Sequence, residues 1–171
     1  LNFNELLSHI KLQGCRVILY KKKKKVNGAL GTFDVLGHGP IICMAIKNQS
    51  QKKCITTLLH EYGHFLQWKD GFMDYIDNIC DSYTTFYDWS KGNIELTDRE
   101  WLTSRNANLS MEWDAEVRGL IAGKELGVKG FSEKYYLRGA CSYMMAIKWG
   151  WKMRADWKTS PPRGRINAKM L

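Results

Sequence analysis

Two histidines four residues apart, with a glutamate directly after the first, form His60-Glu61-Tyr62-Gly63-His64, an HExxH pattern. On a helix this spacing is just over one turn, so both neutral imidazoles can reach one zinc ion and leave Glu61 beside a water on the metal. With four histidines and eight glutamates in the chain, chance supplies about 0.004 such matches, which makes coincidence a poor account. The surrounding pattern agrees. Ile55, Leu58, Leu59, Tyr62, Phe65 and Leu66 fall on one helical face, and His60, Glu61 and His64 point away from it. Two histidines packed or capping within an ordinary helix are the plainer but weaker alternative.

A catalytic zinc takes three protein ligands and keeps another position open. In the extended pattern HExxHxxGxxH, the glycine and third histidine would fall where this chain has Gln67 and Asp70. Asp70 could ligate only if the helix broke at Gln67, and no glycine is there to permit that turn. His9 and His38 both lie upstream. The better source is the later acidic segment Glu112-Trp113-Asp114-Ala115-Glu116. Glu112, Ala115, Glu116, Gly119 and Gly123 form a helical stripe whose small residues would allow a close approach to the HExxH helix. A solvated acidic face paired with Arg118 or Lys124 is the competing account.

An HExxH helix followed on a later helix by a glutamate, with an acid four positions on, resembles the gluzincin zinc peptidases. The resemblance implies Zn2+ held by His60, His64 and Glu112, with Glu116 steadying a zinc histidine through its other ring nitrogen. An apolar strand before the helix, HEYGHFLQWKDG and the run E-x-D-x-E-x-R are similar to small phage and bacterial metallopeptidases of the ImmA/IrrE type. The likeness spans roughly residues 40–145. The chain departs from the commoner pattern in having Glu rather than Asp or Asn at 116, and in the 47 residues between His64 and Glu112. Glu112 and Glu116 therefore both stay open as third ligand. The implied activity is that of a zinc-dependent endopeptidase. Glu61 would take a proton from the metal's water and pass it to the leaving amine. Tyr143 resembles a tyrosine recurring in the small phage proteins and would donate to the oxyanion, although a core tyrosine is the plainer account. Strand Ile41–Ile46 would pair with an extended peptide substrate, as a zincin fold implies.

The elements that must position these residues read as a single α+β domain, which the resemblance narrows to a minimal zincin: an N-terminal helix and small twisted sheet, then the HExxH helix and C-terminal helices. Residues 2–13 form an amphipathic helix. Cys15–Tyr20 is strand-like, and Asn27-Gly28 predicts a hairpin returning along Ala29–Leu36, with Gly37–Pro40 as a loop. Helices are expected from about Gln51 to Lys69, from Leu109 to Leu126 with Gly127 as its cap, and from Ser132 to about Trp157. Residues 70–105 read as an irregular acidic and aromatic insertion with one short helix near 98–104.

The net charge of +9 is segregated. Lys21–Lys25 and residues 148–171 together carry +11, whereas residues 70–100 carry −6. A basic nucleic-acid-binding protein with a structural metal site, or a phage or bacterial interaction protein with a non-catalytic one, is thus the alternative function. The lysine run also suits a protected strand edge. Lys148, Lys152, Arg154 and Lys158 interleave with Trp149, Trp151 and Trp157, which suits nucleic acid or an anionic surface as well as a helix with one buried face. Residues 158–171 read as a flexible basic tail. Five cysteines without a CxxC pair point to buried free thiols in a reducing compartment, the cytoplasm or a host's cytoplasm. No apolar run is long enough to span a membrane. Leu1–Glu5 lacks signal-peptide features, and a start at Leu suggests trimming.

Overall fold

Asn2 opens the first helix, α1 (Phe3–Leu12), by accepting the Glu5 amide on its side chain while Glu5 reaches back to the Asn2 amide. This reciprocal cap satisfies two amides the helix cannot. The computed structural model describes residues 1–21, 26, 29–72, 85, 86, 88, 89 and 92–149. Lys22–Lys25, Asn27-Gly28, most of 73–91, Cys80 and everything from Gly150 onward, including the basic tail, lie outside the described residues, so the readings made for them stand as expectations. The described part is mixed α and β, with four helices and a three-stranded sheet. Among the described residues no helix is long and apolar enough to cross a membrane, and Cys15, Cys43, Cys54 and Cys141 are free thiols.

The strands are β1 (Arg16–Tyr20), β2 (Gly31–Leu36) and β3 (Gly39–Ala45), in the order β1-β3-β2. The expected pairing of the first two strands as a hairpin is therefore corrected. β3 lies between them, parallel to β1 (Ile18 opposite Cys43) and antiparallel to β2 (Phe33 opposite Ile42). Burial explains the order: most of β3 is buried, which suits a centre strand, whereas β1 is exposed at Arg16, Ile18 and Leu19. The tight turn is Gly37-His38, flanked by the Leu36–Gly39 pair with Gly39 at φ +93°, so β3 begins inside the expected loop. Both edges of the 41–46 strand are occupied. It cannot receive a substrate strand.

Helix α2 (Gln51–Lys69) matches the expected span, capped by Ser50 and stopped at Asp70, with Gly71 at φ +71°. Ile55, Leu58, Leu59, Tyr62 and Phe65 pack against Leu6, Ile10, Ile42 and Met44 in the main core. Helix α3 (Asp98–Glu125) joins the expected 98–104 and 109–126 helices into one, with no break over 105–108. Its start is another reciprocal cap, between Thr97 and Glu100. The turns merge because the buried stripe includes Ser104, Asn108, Glu112 and Glu116, which hydropathy does not count as a buried face. Gly127, at φ +55°, closes the helix as expected. Helix α4 covers Glu133–Trp149.

Two compact units emerge: Leu1–Phe72 with Asp114–Tyr136, and Met73–Trp113 with Leu137–Leu171. The first holds the sheet, α1, α2 and the main core. The second has its own small core of Phe86, Trp89, Trp101 and Ile147, which buries part of the aromatic content expected of the insertion.

Within the first unit α2 and α3 touch backbone to backbone. A Cβ on Gly63 would run into the Ala115 carbonyl, and one on Gly119 into the Leu59 carbonyl and the Tyr136 hydroxyl. At Gly123 the nearest atoms are side-chain carbons of Leu59 and Phe131, both at 2.9 Å. Alanine favours a helix over glycine by about 1 kcal/mol. Gly63→Ala should nevertheless destabilise by about 1–3 kcal/mol in urea unfolding, because a backbone cannot step aside, and Gly123→Ala should cost less. Burial also pushes the Cys15 thiol up to about 11, against opposing effects of the Ile42 backbone and Arg16. The folded state then holds this proton more tightly than the unfolded state does. Its stabilising contribution is complete below the ordinary thiol value and is lost as pH rises through about 11. Cys15→Ala should flatten the fall in unfolding free energy across that alkaline range.

Candidate metal centre

His60, Glu61 and His64 lie on the side of α2 away from the main core, as the helical pattern requires, but this side is not open to solvent. Glu61 and His64 are buried and His60 is half-buried. The two imidazoles meet edge to face, with ring centroids 4.8 Å apart. Their ligand atoms and one from Glu112 all lie within 4.8 Å of one another, so these three residues form a group that could hold a metal ion. Glu112 is buried on α3, two residues before Asp114 on the same unbroken helix. All four histidines are described, and the other two are elsewhere: His9 faces the Tyr62 hydroxyl at 3.3 Å, and His38 is in the exposed β2–β3 turn.

Each ring turns its Nδ1 toward a side-chain oxygen. His60 Nδ1 is 3.2 Å from Glu116 Oε1. His64 Nδ1 is 2.8 Å from Gln67 Oε1, and the Gln67 amide nitrogen donates to Asp114 Oδ2 at 2.9 Å. Arg118 Nε donates to the same Asp114 oxygen at 2.6 Å, and a second guanidinium nitrogen pairs with Asp70. Because the Gln67 amide nitrogen is committed to a carboxylate, its oxygen is the end that meets His64, which must donate from Nδ1. Nε2 of His64 is then the lone-pair nitrogen. A His, His, Glu donor set backed in this way fits a divalent metal ion.

Glu61 lies against the start of β2. A Cβ on Gly31 would come 2.6 Å from Glu61 Oε1 and 2.7 Å from Thr57 Cγ2, so glycine at 31 leaves the room this carboxylate uses. From the first turn of α4, Tyr136 directs its buried hydroxyl toward Glu116. Burial, then the Glu116 carboxylate and the charge of Glu61, push it far above the usual phenol value, so it remains a protonated donor.

Of the residues expected from sequence, His60, His64 and Glu112 come together, and Glu116 stands behind His60. Asp70 pairs with Arg118, and α2 does not break at Gln67. Tyr143 is 40% exposed on the part of α4 that belongs to the second unit. Sequence reasoning passed over Tyr136, although it lies seven residues before Tyr143 and thus on nearly the same helical face. It also treated Gln67 only as a missing glycine. No protein-family model matches the chain, and comparison with curated proteins and with solved structures found no match.

This geometry separates the two glutamates by experiment. Glu112→Ala should abolish stoichiometric zinc uptake, whereas Glu116→Ala should retain zinc with an affinity lowered about 10- to 100-fold. Metal analysis of the purified variants, with His64→Ala as reference, checks both.

Proposed function

We propose that the protein is a zinc-dependent endopeptidase of the gluzincin kind, built on a minimal zincin-like α+β fold. The observation that carries the reading is a buried general-base candidate, Glu61, between two histidines whose ligand atoms lie within 4.8 Å of each other and of a Glu112 oxygen. His60, His64 and Glu112 hold the metal, and Glu116 steadies His60. When bound, zinc supplies Lewis acidity that polarises the substrate carbonyl and acidifies water.

Glu61 accepts the proton released as water attacks the carbonyl carbon, then delivers it to the departing amine. An extended peptide pairs along the outer edge of β2, whose first residue, Gly31, lies against the Glu61 carboxylate. In this reading Tyr136 keeps Glu116 aligned behind His60.

Glu61→Gln preserves shape and removes the base. It should retain zinc while cutting hydrolysis of an unfolded protein substrate by about 100-fold or more. Full removal of metal with a chelator should abolish hydrolysis, and added zinc should restore it. A Glu61→Gln protein as active as wild type would overturn the mechanism.

A further inference from the structure

Behind the two histidines the chain builds unlike supports. His60 faces a carboxylate, whereas His64 faces an uncharged amide that is itself completely buried. A buried amide must satisfy both its ends, and Gln67 does so with two polar groups that differ in what they can accept. Asp114 accepts from Arg118 at the oxygen that meets Gln67, so the Gln67 NH2 must face it. A flipped amide would set its oxygen against the Asp114 carboxylate and its NH2 against the Nδ1 of His64. Arg118 is anchored in turn by Asp70, at the residue that caps α2. Gln67 is one turn after His64 on the same helix, so the amide and imidazole keep a fixed spacing.

We propose that Gln67 is a positioning residue for the metal centre: oriented by Asp114 and Arg118, its amide oxygen holds His64 in the Nδ1–H form and presents Nε2 to the metal. The proposal deepens the metal-site reading and rests on it. It assigns a function to the Gln67–Asp114–Arg118 chain, which otherwise would serve only to tie α2 to α3. The two roles differ in what they predict. A tie affects the stability of the folded protein, whereas an orienting group affects metal affinity and the ligand field.

The test is zinc affinity, measured by competition with a chromogenic chelator, together with the visible absorption spectrum of the Co2+-loaded protein. Gln67→Met keeps the volume and removes the acceptor. It should bind zinc about 10- to 100-fold more weakly than wild type, with a shifted Co2+ spectrum. Gln67→Glu combined with Asp114→Ala keeps an acceptor facing His64 whichever way the side chain turns, since both carboxylate oxygens accept. This double variant should return to within about threefold of wild type, since the His64 hydrogen bond is kept. Should Gln67→Met fail to fold, Asp114→Ala alone replaces it. That variant removes the acceptor that orients the Gln67 amide and lets it turn over, so it should bind more weakly than the double variant. Wild-type affinity in Gln67→Met, or equal affinity in Asp114→Ala and the double variant, overturns the proposal. If wild type itself takes up no more zinc than His64→Ala, the ligand assignment fails first, and the proposal fails with it.

Discussion

The contact on which the site depends is the meeting of two helix backbones at Gly63 and Ala115, and again at Leu59 and Gly119. Helices packed through ordinary side chains keep their axes about 8–10 Å apart. Here no side chain intervenes at two successive crossings, and the turns that carry the histidines and the later carboxylates can draw together. Glutamate is short compared with the gap it would otherwise have to span. The same closeness excludes water, so each polar group caught between the helices needs a protein partner. The Gln67–Asp114–Arg118–Asp70 chain links Gln67 of α2 to Asp114 and Arg118 of α3 and back to the residue capping α2, donor to acceptor at each step.

The two histidines receive different electrostatic treatment. A carboxylate such as Glu116 makes the imidazole it backs a stronger electron donor as well as orienting it, while an amide such as Gln67 chiefly orients. One anionic and one neutral support limit the negative charge gathered around the two imidazoles. Tyr136 contributes in the same direction, because a phenol held protonated lends a positive dipole to Glu116 without adding a charge. Glu61, between the histidines in sequence, is aimed toward the sheet.

What was legible in the sequence is what local chemistry decides. The apolar face of α2, its stop at Asp70-Gly71 and the Gly127 cap of α3 each depend on residues within a turn or two of one another. Sheet order was not legible, because Asn27-Gly28 is as good a turn signal as Gly37-His38. Only the need to bury β3 decides which strand takes the centre. The length of α3 was hidden by the polarity of its buried face. Its buried stripe passes through Ser104, Asn108, Glu112 and Glu116, and a face made of polar residues does not register as hydrophobic periodicity. At the site, HExxH announced three residues by spacing alone, and the small-residue stripe anticipated the close helix approach. Gln67 and Tyr136 depend on partners 47 and 20 residues away (Asp114 and Glu116), which no local pattern contains.

The burial of Glu61, Glu112 and Glu116 along neighbouring faces has a thermodynamic side. Carboxylates gathered away from water repel one another, and each carries a desolvation cost that counter-charge must offset. A divalent cation bound there acts as a folding ligand: an ion present at about 100 times its dissociation constant adds about 2.7 kcal/mol to the folded state if it ignores the unfolded one. That is a large share of a typical domain's stability. Metal supply would then set how much of the chain survives as folded protein, as well as how much of it can react.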